Sequence, residues 1–425
     1  SKASKDGVWS MLRLDQGYLL KTIELFFNMI FISILADNKD KTCDDLNAIV
    51  IIGVILIVPS LLFFFVLFVR DRQRQTRAKR DQELMVFGLI EEAKRSNIFF
   101  LTPKLEFYRL KSLLKKKIAE EPSLLSIETF GKIRMGEGEW SDFTAAIGQN
   151  TAIQKLNFRE NPQLPWHHSG LAQALSRAKV KILEFPKNDL TDSHIQTLST
   201  GLKTLTVLEH ISLYENKITH VGVHALVENI KALPQLKSLN LRNNPLDWAA
   251  GAHLGVLLEN STTLNSLVLE KCGLGPRGLQ DLSKSLGARS HVEKLELSDN
   301  ACGSSGCSAL FRALETNVFL KKLKLKANSI DYRACETIGK TLQRNQALDL
   351  ITLSENPIGG QGIVPIIRGL ENNATLISLD VSKCKIDDTI SEMKSLLQSN
   401  LDLRIFDFSD NPINDQGIVG IAAYL

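Results

Sequence analysis

The sequence predicts an α/β solenoid, a horseshoe of strand-turn-helix coils with a parallel inner sheet and outer helices, preceded by an N-terminal transmembrane helix or helical hairpin. Three observations carry this. A frame of the form L-x-x-L-x-L-x-x-N-x-L recurs from Ile153 onward. Apolar residues recur ten and fourteen positions after the polar anchor of each frame, the i, i+4 spacing of one helix face. Finally, Ala48 to Val69 is an apolar run of 22 residues without a charge.

Taken in chain order, residues 1–47 hold a first apolar stretch, Tyr18 to Ala36, interrupted by Lys21, Glu24 and Asn28. Two readings stay open. With Met11 as the start, MLRLDQGYLLK is a charged leader, the apolar run its hydrophobic region and Ala36 a small residue before a cleavage point. Otherwise the stretch is retained and pairs with the next one as a helical hairpin, Lys21 reaching toward the surface near Lys2, Lys5 and Arg13.

Residues 48–69 form the transmembrane helix, which would extend about 33 Å and cross a hydrocarbon core of roughly 30 Å. Pro59 and Ser60 introduce a bend that a membrane helix tolerates. The span is followed by RDRQRQTRAKR and preceded by the net-negative DNKDKTCDDLN. This bias puts the C-terminal bulk on the cytosolic or equivalent inner side, with the lipid bilayer as a partner.

Residues 70–122 read as a basic juxtamembrane and helical connector. Arg70, Arg72, Arg74, Arg77, Lys79 and Arg80 open it, and Thr102 with Pro103 starts a helix running to roughly Glu120. Lys111, Lys115, Lys116 and Lys117 on that helix face either anionic headgroups, at ~1 kcal/mol per basic residue, or solvent. No repeat frame is visible from 81 to about 150. Trp140 to Asn150 nevertheless resembles the helical half of a coil, which sets the start of the repeat domain near 123 and its extent at 123–425.

The ten anchors are Asn161, Asn188, Asn216, Asn244, Cys272, Asn300, Asn328, Asn356, Cys384 and Asn411, spaced by 28 residues except for 27 at the first and last intervals. The matching helix pairs run from Leu171/Leu175 to Ile421/Leu425, and only the Cys384 coil slips by one, to Met393 and Leu397. One such coil cannot bury its apolar side, whereas a stack shares a continuous interior. Asparagine suits the anchor because its amide donates and accepts at a turn that has left the sheet. Cysteine at two anchors reads as a buried structural thiol. The pattern resembles the ribonuclease-inhibitor-like class of leucine-rich repeats, found in ribonuclease inhibitor, Ran GTPase-activating protein, tropomodulin and the sensor regions of NOD-like receptors. The resemblance covers roughly 150–425 and implies a binding protein whose concave sheet is the working face.

Strand side chains alternate, so the residues beside the leucines form the concave wall. Its rungs place Tyr214 beside Arg242, with Glu270 on the following rung, and Asp380 further along. Lys322, Lys324 and Lys326 make an all-lysine rung that invites an acidic partner; for every one of these positions the competing account is an ordinary solvated surface. Tyr and Arg are the types enriched at interface hot spots. These seven are the candidate partner-binding residues.

Catalytic signals are weak. His167-His168 lacks a second ligand pair at metal spacing, Gly359-Gly360-Gln361-Gly362 reads as a loop without a phosphate-binding lysine, and Cys302 and Cys307 have no neighbouring histidine to activate them. We expect no enzyme, cofactor or metal. Net charge of +4 with 23% charged residues gives no reason to expect nucleic acid. Six cysteines without CxxC pairs fit a reducing compartment, and the sequons at Asn260 and Asn373 are short enough to be chance. The expected function is a membrane-anchored protein-binding scaffold, or an accessory subunit of a multi-subunit membrane complex; the alternative is a regulator of a partner enzyme in trans, as a GTPase activator would be. Leu425 ends a coil with no polar cap, so the natural chain is expected to continue or another protein to cover this end.

Overall fold

The computed structural model describes residues 98–101 (backbone only), 124–129, 133–287, 290–389 and 402–415. The chain divides into two compact units, Ser1–Asp81 and Gln82–Leu425, and all described residues belong to the second. The expected membrane span, the first apolar stretch, the basic run after the span and the helix from Thr102 therefore lie outside the described residues. So do the helical half of the Cys384 coil and the pair Ile421/Leu425. Among the described residues no helix is long and apolar enough to cross a membrane.

Among the described residues, twelve strands form one parallel sheet in strict sequence order. They are β1 (Ile98–Leu101), β2 (Ser126–Thr129), β3 (Lys155–Asn157), β4 (Ile182–Glu184), β5 (His210–Ser212), β6 (Ser238–Asn240), β7 (Ser266–Val268), β8 (Lys294–Glu296), β9 (Lys322–Lys324), β10 (Leu350–Thr352), β11 (Ser378–Asp380) and β12 (Ile405–Asp407). Between them run α1 (Glu137–Gln149), α2 (Gly170–Leu175), α3 (Asp192–Leu202), α4 (His220–Ile230), α5 (Ala250–Asn260), α6 (Gly275–Ser283), α7 (Gly303–Leu314), α8 (Tyr332–Arg344) and α9 (Gly359–Leu370). The parallel solenoid of strands and helices read from the repeat frame is what the chain builds.

The sheet starts before the frame does. The β1 strand falls inside the stretch expected as a helical connector, and it pairs with β2 through Ile98↔Ser126 and Phe99↔Ile127. Its IFFL sequence is apolar enough for a buried strand but carries no leucine frame or asparagine. The coil after β2 is also real: Asn161 Oδ1 accepts from the Ile133 N–H at 2.8 Å, so Ile133 stands where an anchor would.

Each frame strand is three residues long, and the middle residue is buried in β3 to β11, from Leu156 and Leu183 to Leu379, and half-buried in β12, at Phe406. Strands stop there because the chain turns sharply. The residue before every anchor adopts a left-handed conformation, from Glu160 (φ 60°) and Lys187 (φ 57°) to Lys383 (φ 55°) and Asp410 (φ 56°), although none is glycine. The anchor then secures the turn. Asn328 donates from Nδ2 to the Leu297 and Lys326 carbonyls at 2.9 and 3.2 Å, and its Oδ1 accepts from the Asn300 and Cys302 N–H groups at 3.1 and 3.3 Å. One amide thereby ties two coils together.

The helix pairs ten and fourteen residues beyond the anchors are buried wherever they are described, including Leu226/Ile230, Leu310/Leu314 and Ile338/Leu342. A second asparagine ladder closes the opposite turns. Asn345 Nδ2 donates to the Leu314 and Asn317 carbonyls, at 2.7 and 3.0 Å, while its Oδ1 accepts from Ala347 and Leu348 N–H at 2.9 Å each. Asn317 and Asn373 do the same in the flanking coils. The Asn373 sequon thus sits on a buried, fully engaged side chain, whereas Asn260 is exposed.

Candidate protein-binding face

The outward residues of β3 to β12 lie in register along one sheet face, as in Lys294↔Lys322↔Leu350↔Ser378. Tyr214 and Arg242 occupy equivalent places on neighbouring coils, their carbonyls accepting from Lys187 and Glu215 N–H at 3.1 and 2.8 Å. Tyr214 is half-buried and Arg242 exposed. Arg242 reaches the next coil and pairs with Glu270, Nη2 to Oε1 at 3.1 Å, which joins two of the seven candidates directly.

The all-lysine rung is less bare than its sequence implies. Glu296, on the adjacent strand, takes both Lys294 (2.7 Å) and Lys324 (3.1 Å). Burial pushes the Glu296 carboxyl up, but hydrogen bonds from the two ammonium groups outweigh it and hold the acid below its ordinary value. Glu355 likewise takes Lys326 (3.1 Å) and Lys383 (3.6 Å). The hydrogen bond to Glu355 raises Lys326, with Asp299 and Asp380 adding smaller contributions of the same sign. Lys322 is exposed, and no carboxylate among the described residues lies within ion-pair distance of it. Asp380 turns onto its own strand end, accepting from Ser382 N and Oγ at 3.0 and 2.7 Å.

The same lattice recurs at the other end of the wall, where Lys155 lies between Glu128 (3.4 Å) and Glu184 (3.2 Å). Burial pulls this ammonium down, yet the two carboxylates more than compensate and its pKa is raised. On the turn ridge Lys187 links Glu160 and Glu215 at 3.7 and 3.3 Å. Sequence reading places Lys155, Lys294 and Glu296 on rungs of the wall but not their ion pairs, nor Glu355 as a partner. The signal is opposite charges one coil apart or, for Lys294 and Glu296, two residues apart on one strand.

The residues weighed for chemistry fall into structural places. His167 meets Glu137 at 3.0 Å in an exposed turn. The run from Gly359 to Gly362, expected as a loop, is the first turn of α9, and glycine suits it because a Cβ on Gly362 would stand 3.2 Å from the Tyr332 Cα. Burial pushes the Cys302 thiol up to about 12 and raises Cys307 well above the ordinary thiol value, so neither is a thiolate at neutral pH. The anchor thiols Cys272 and Cys384 are also raised to about 12 by burial. Among the described residues no three metal-ligating side chains gather at one point.

Comparison with known proteins agrees with the repeat frame. The family described as Leucine Rich repeat matches residues 260–283, 289–311, 372–390 and 399–422. Ribonuclease inhibitor from Sus scrofa is 28% identical over 152 residues, covering 35% of this chain and 33% of that protein. Ribonuclease inhibitor from Mus musculus is 32% identical over 127 residues, covering 29% and 28%. The matched region therefore spans about a third or less of these relatives. Among solved structures, an internalin from Listeria monocytogenes aligns over 71% of this chain and 78% of its own, at 16% identity and a TM-score of 0.43. The described part of the chain is a leucine-rich-repeat solenoid whose repeats are similar to those of ribonuclease inhibitors.

Proposed function

We propose that this chain is a membrane-anchored protein-binding scaffold, in one version an accessory subunit of a larger membrane complex. It seats a protein partner on the sheet face through Tyr214, Arg242, Glu270, Lys322, Lys324, Lys326 and Asp380. The observation that carries this reading is the ordered wall itself. Its charged side chains are already held by one another across coils, as in Lys294–Glu296–Lys324. A partner then meets groups that have little rotamer freedom left to lose, which lowers the entropic cost of docking. Similarity to proteins named for inhibiting ribonuclease, itself a protein, supports the same class of function. The Ala48 to Val69 run and the basic segment after it support the tether, with the repeats on the cytosolic or equivalent inner side.

Lysine-directed crosslinking on native membranes tests both parts. Crosslinks from Lys322, Lys324 or Lys326 to one partner are expected, and a stoichiometric partner set marks a complex subunit. Crosslinks confined to outer-helix lysines such as Lys340 would remove the concave reading. Release of the chain by an alkaline wash would remove the tether. Once the partner is in hand, Tyr214→Ala and Arg242→Ala are each expected to weaken its binding about ten-fold, or ~1.4 kcal/mol, by titration calorimetry.

A further inference from the structure

The edge of the solenoid where the helices begin carries a second surface, made by a different repeat position. The residue four places after the anchor is propped outward by a glycine six places after the anchor of the next coil. A Cβ on Gly278 would stand 3.0 Å from the Trp248 Cα and carbonyl oxygen, one on Gly306 3.1 Å from the same atoms of Pro276, and one on Gly362 3.2 Å from the Tyr332 Cα. With no side chain beneath them, these residues rest on the following coil and project from the edge. Trp248 is 44% exposed, Tyr332 50% and nearby Val221 43%. Core packing does not account for large apolar side chains in such places.

Two arginines accompany the aromatics. The Arg277 guanidinium lies 3.6 Å from the Trp248 ring centre and that of Arg333 lies 5.9 Å from Tyr332. The carboxylates of this edge are committed elsewhere. Asp192 accepts from Thr219 N, Thr219 Oγ1 and Gly222 N, and Asp247 pairs with His220 at 2.7 Å while accepting from Ala249 N. Asp331 caps α8 and bonds Ser304 Oγ, with Arg333 Nε at 3.6 Å. Arg277 is left on the indole face with no ion-pair partner among the described residues.

We propose that this edge is a docking strip for an acidic, aromatic-bearing segment of a partner protein, whose carboxylates pair with Arg277 and Arg333 and whose apolar side chains pack on Trp248 and Tyr332. It lies apart from the sheet face and does not depend on the reading given for that face. The charge sign follows from Arg277, which has no carboxylate partner among the described residues, and from Arg333, whose single carboxylate neighbour Asp331 is shared with the α8 cap and Ser304; the aromatic preference follows from the exposed rings. A nucleic-acid strand fits less well, because the two arginines are two coils apart with Ser304 and Ser305 between them and no basic run joins them.

The test uses the full chain in detergent and a fluorescein-labelled random copolymer of glutamate and tyrosine, read by anisotropy, beside an oligothymidylate of similar length. The copolymer is expected to bind. Arg277→Gln and Trp248→Ala should each weaken it by about ten-fold or more, while Lys322→Gln on the sheet face changes it less than about two-fold. All three side chains are solvent-facing, so melting temperatures should stay level; if Trp248→Ala lowers its own, Arg277→Gln decides. Absence of copolymer binding, equal binding by Arg277→Gln, loss only in Lys322→Gln, or preference for the oligothymidylate would each overturn the proposal.

Discussion

At an anchor position, an asparagine supplies two donors for carbonyls and one oxygen that accepts from the preceding coil, whereas cysteine supplies a single weak donor. The difference is visible in the chain. Where the next anchor is asparagine, the N–H two places past an anchor goes to its Oδ1, as Ile330 does to Asn356 at 3.0 Å. Where the next anchor is cysteine, that N–H folds back onto its own anchor's carbonyl: Leu246 to Asn244 and Ile358 to Asn356, both at 2.8 Å. The thiols of Cys272 and Cys384 only donate, to the Leu241 and Leu353 carbonyls at 3.3 and 3.2 Å. Cys272→Asn should therefore raise stability by roughly 0.5–1.5 kcal/mol, and Asn328→Ala should lower it by at least ~2 kcal/mol, both by urea denaturation. A second consequence concerns pH. Because Glu296 is held below its ordinary value of 4.5, its contribution is fully present above that value and is lost as pH falls through the lower folded-state pKa. Glu296→Gln should flatten this part of the acid limb in a stability profile. The anchors were legible because one residue type recurs at a fixed spacing. Asn317, Asn345 and Asn373 recur at the same 28-residue spacing but over fewer coils, in the helix-to-strand turns, which makes this second ladder harder to read from sequence.

Elements meet through glycine as much as through leucine. A Cβ on Gly339 in α8 would overlap the Pro365 carbonyl oxygen of α9, and one on Gly251 in α5 would overlap the Gly278 carbonyl oxygen of α6. Gly339→Ala must push two helices apart and is expected to destabilise by roughly 1–3 kcal/mol in thermal unfolding. The entry into α7 has a different need: Gly303 has φ 61°, with nothing closer than the Pro276 side chain at 3.6 Å. Gly303→Ala should then cost only about 1 kcal/mol, from backbone conformation alone. The helices were readable from their buried i, i+4 pairs. β1 and β2 were not, because their coil lacks the leucine frame and puts Ile133 at the anchor place, where only its backbone N–H takes part.

Among the described residues the helices and strands pack against those of the adjacent coils, so the solenoid behaves as a sum of equivalent units. Excising residues 301–328, one full anchor-to-anchor period, should leave a cooperatively folded chain with the same ladders; excising 301–314 should not, since it sets a strand against a helix. Circular dichroism and a melting curve distinguish the two. The wall's place was legible from strand alternation, and most of its ion-pair lattice was not, because apart from Lys294–Glu296 those contacts join residues a coil apart that one-coil reading treats separately. The buried thiols give the molecule a further property. Cys272, Cys302, Cys307, Cys335 and Cys384 are all free, fully enclosed and lie on four coils, Cys302 and Cys307 sharing one. A membrane-permeant alkylating reagent can reach each one only while its own coil is open. Timed labelling followed by peptide mass spectrometry would thus record the order in which the array unzips, using reporters the chain already carries.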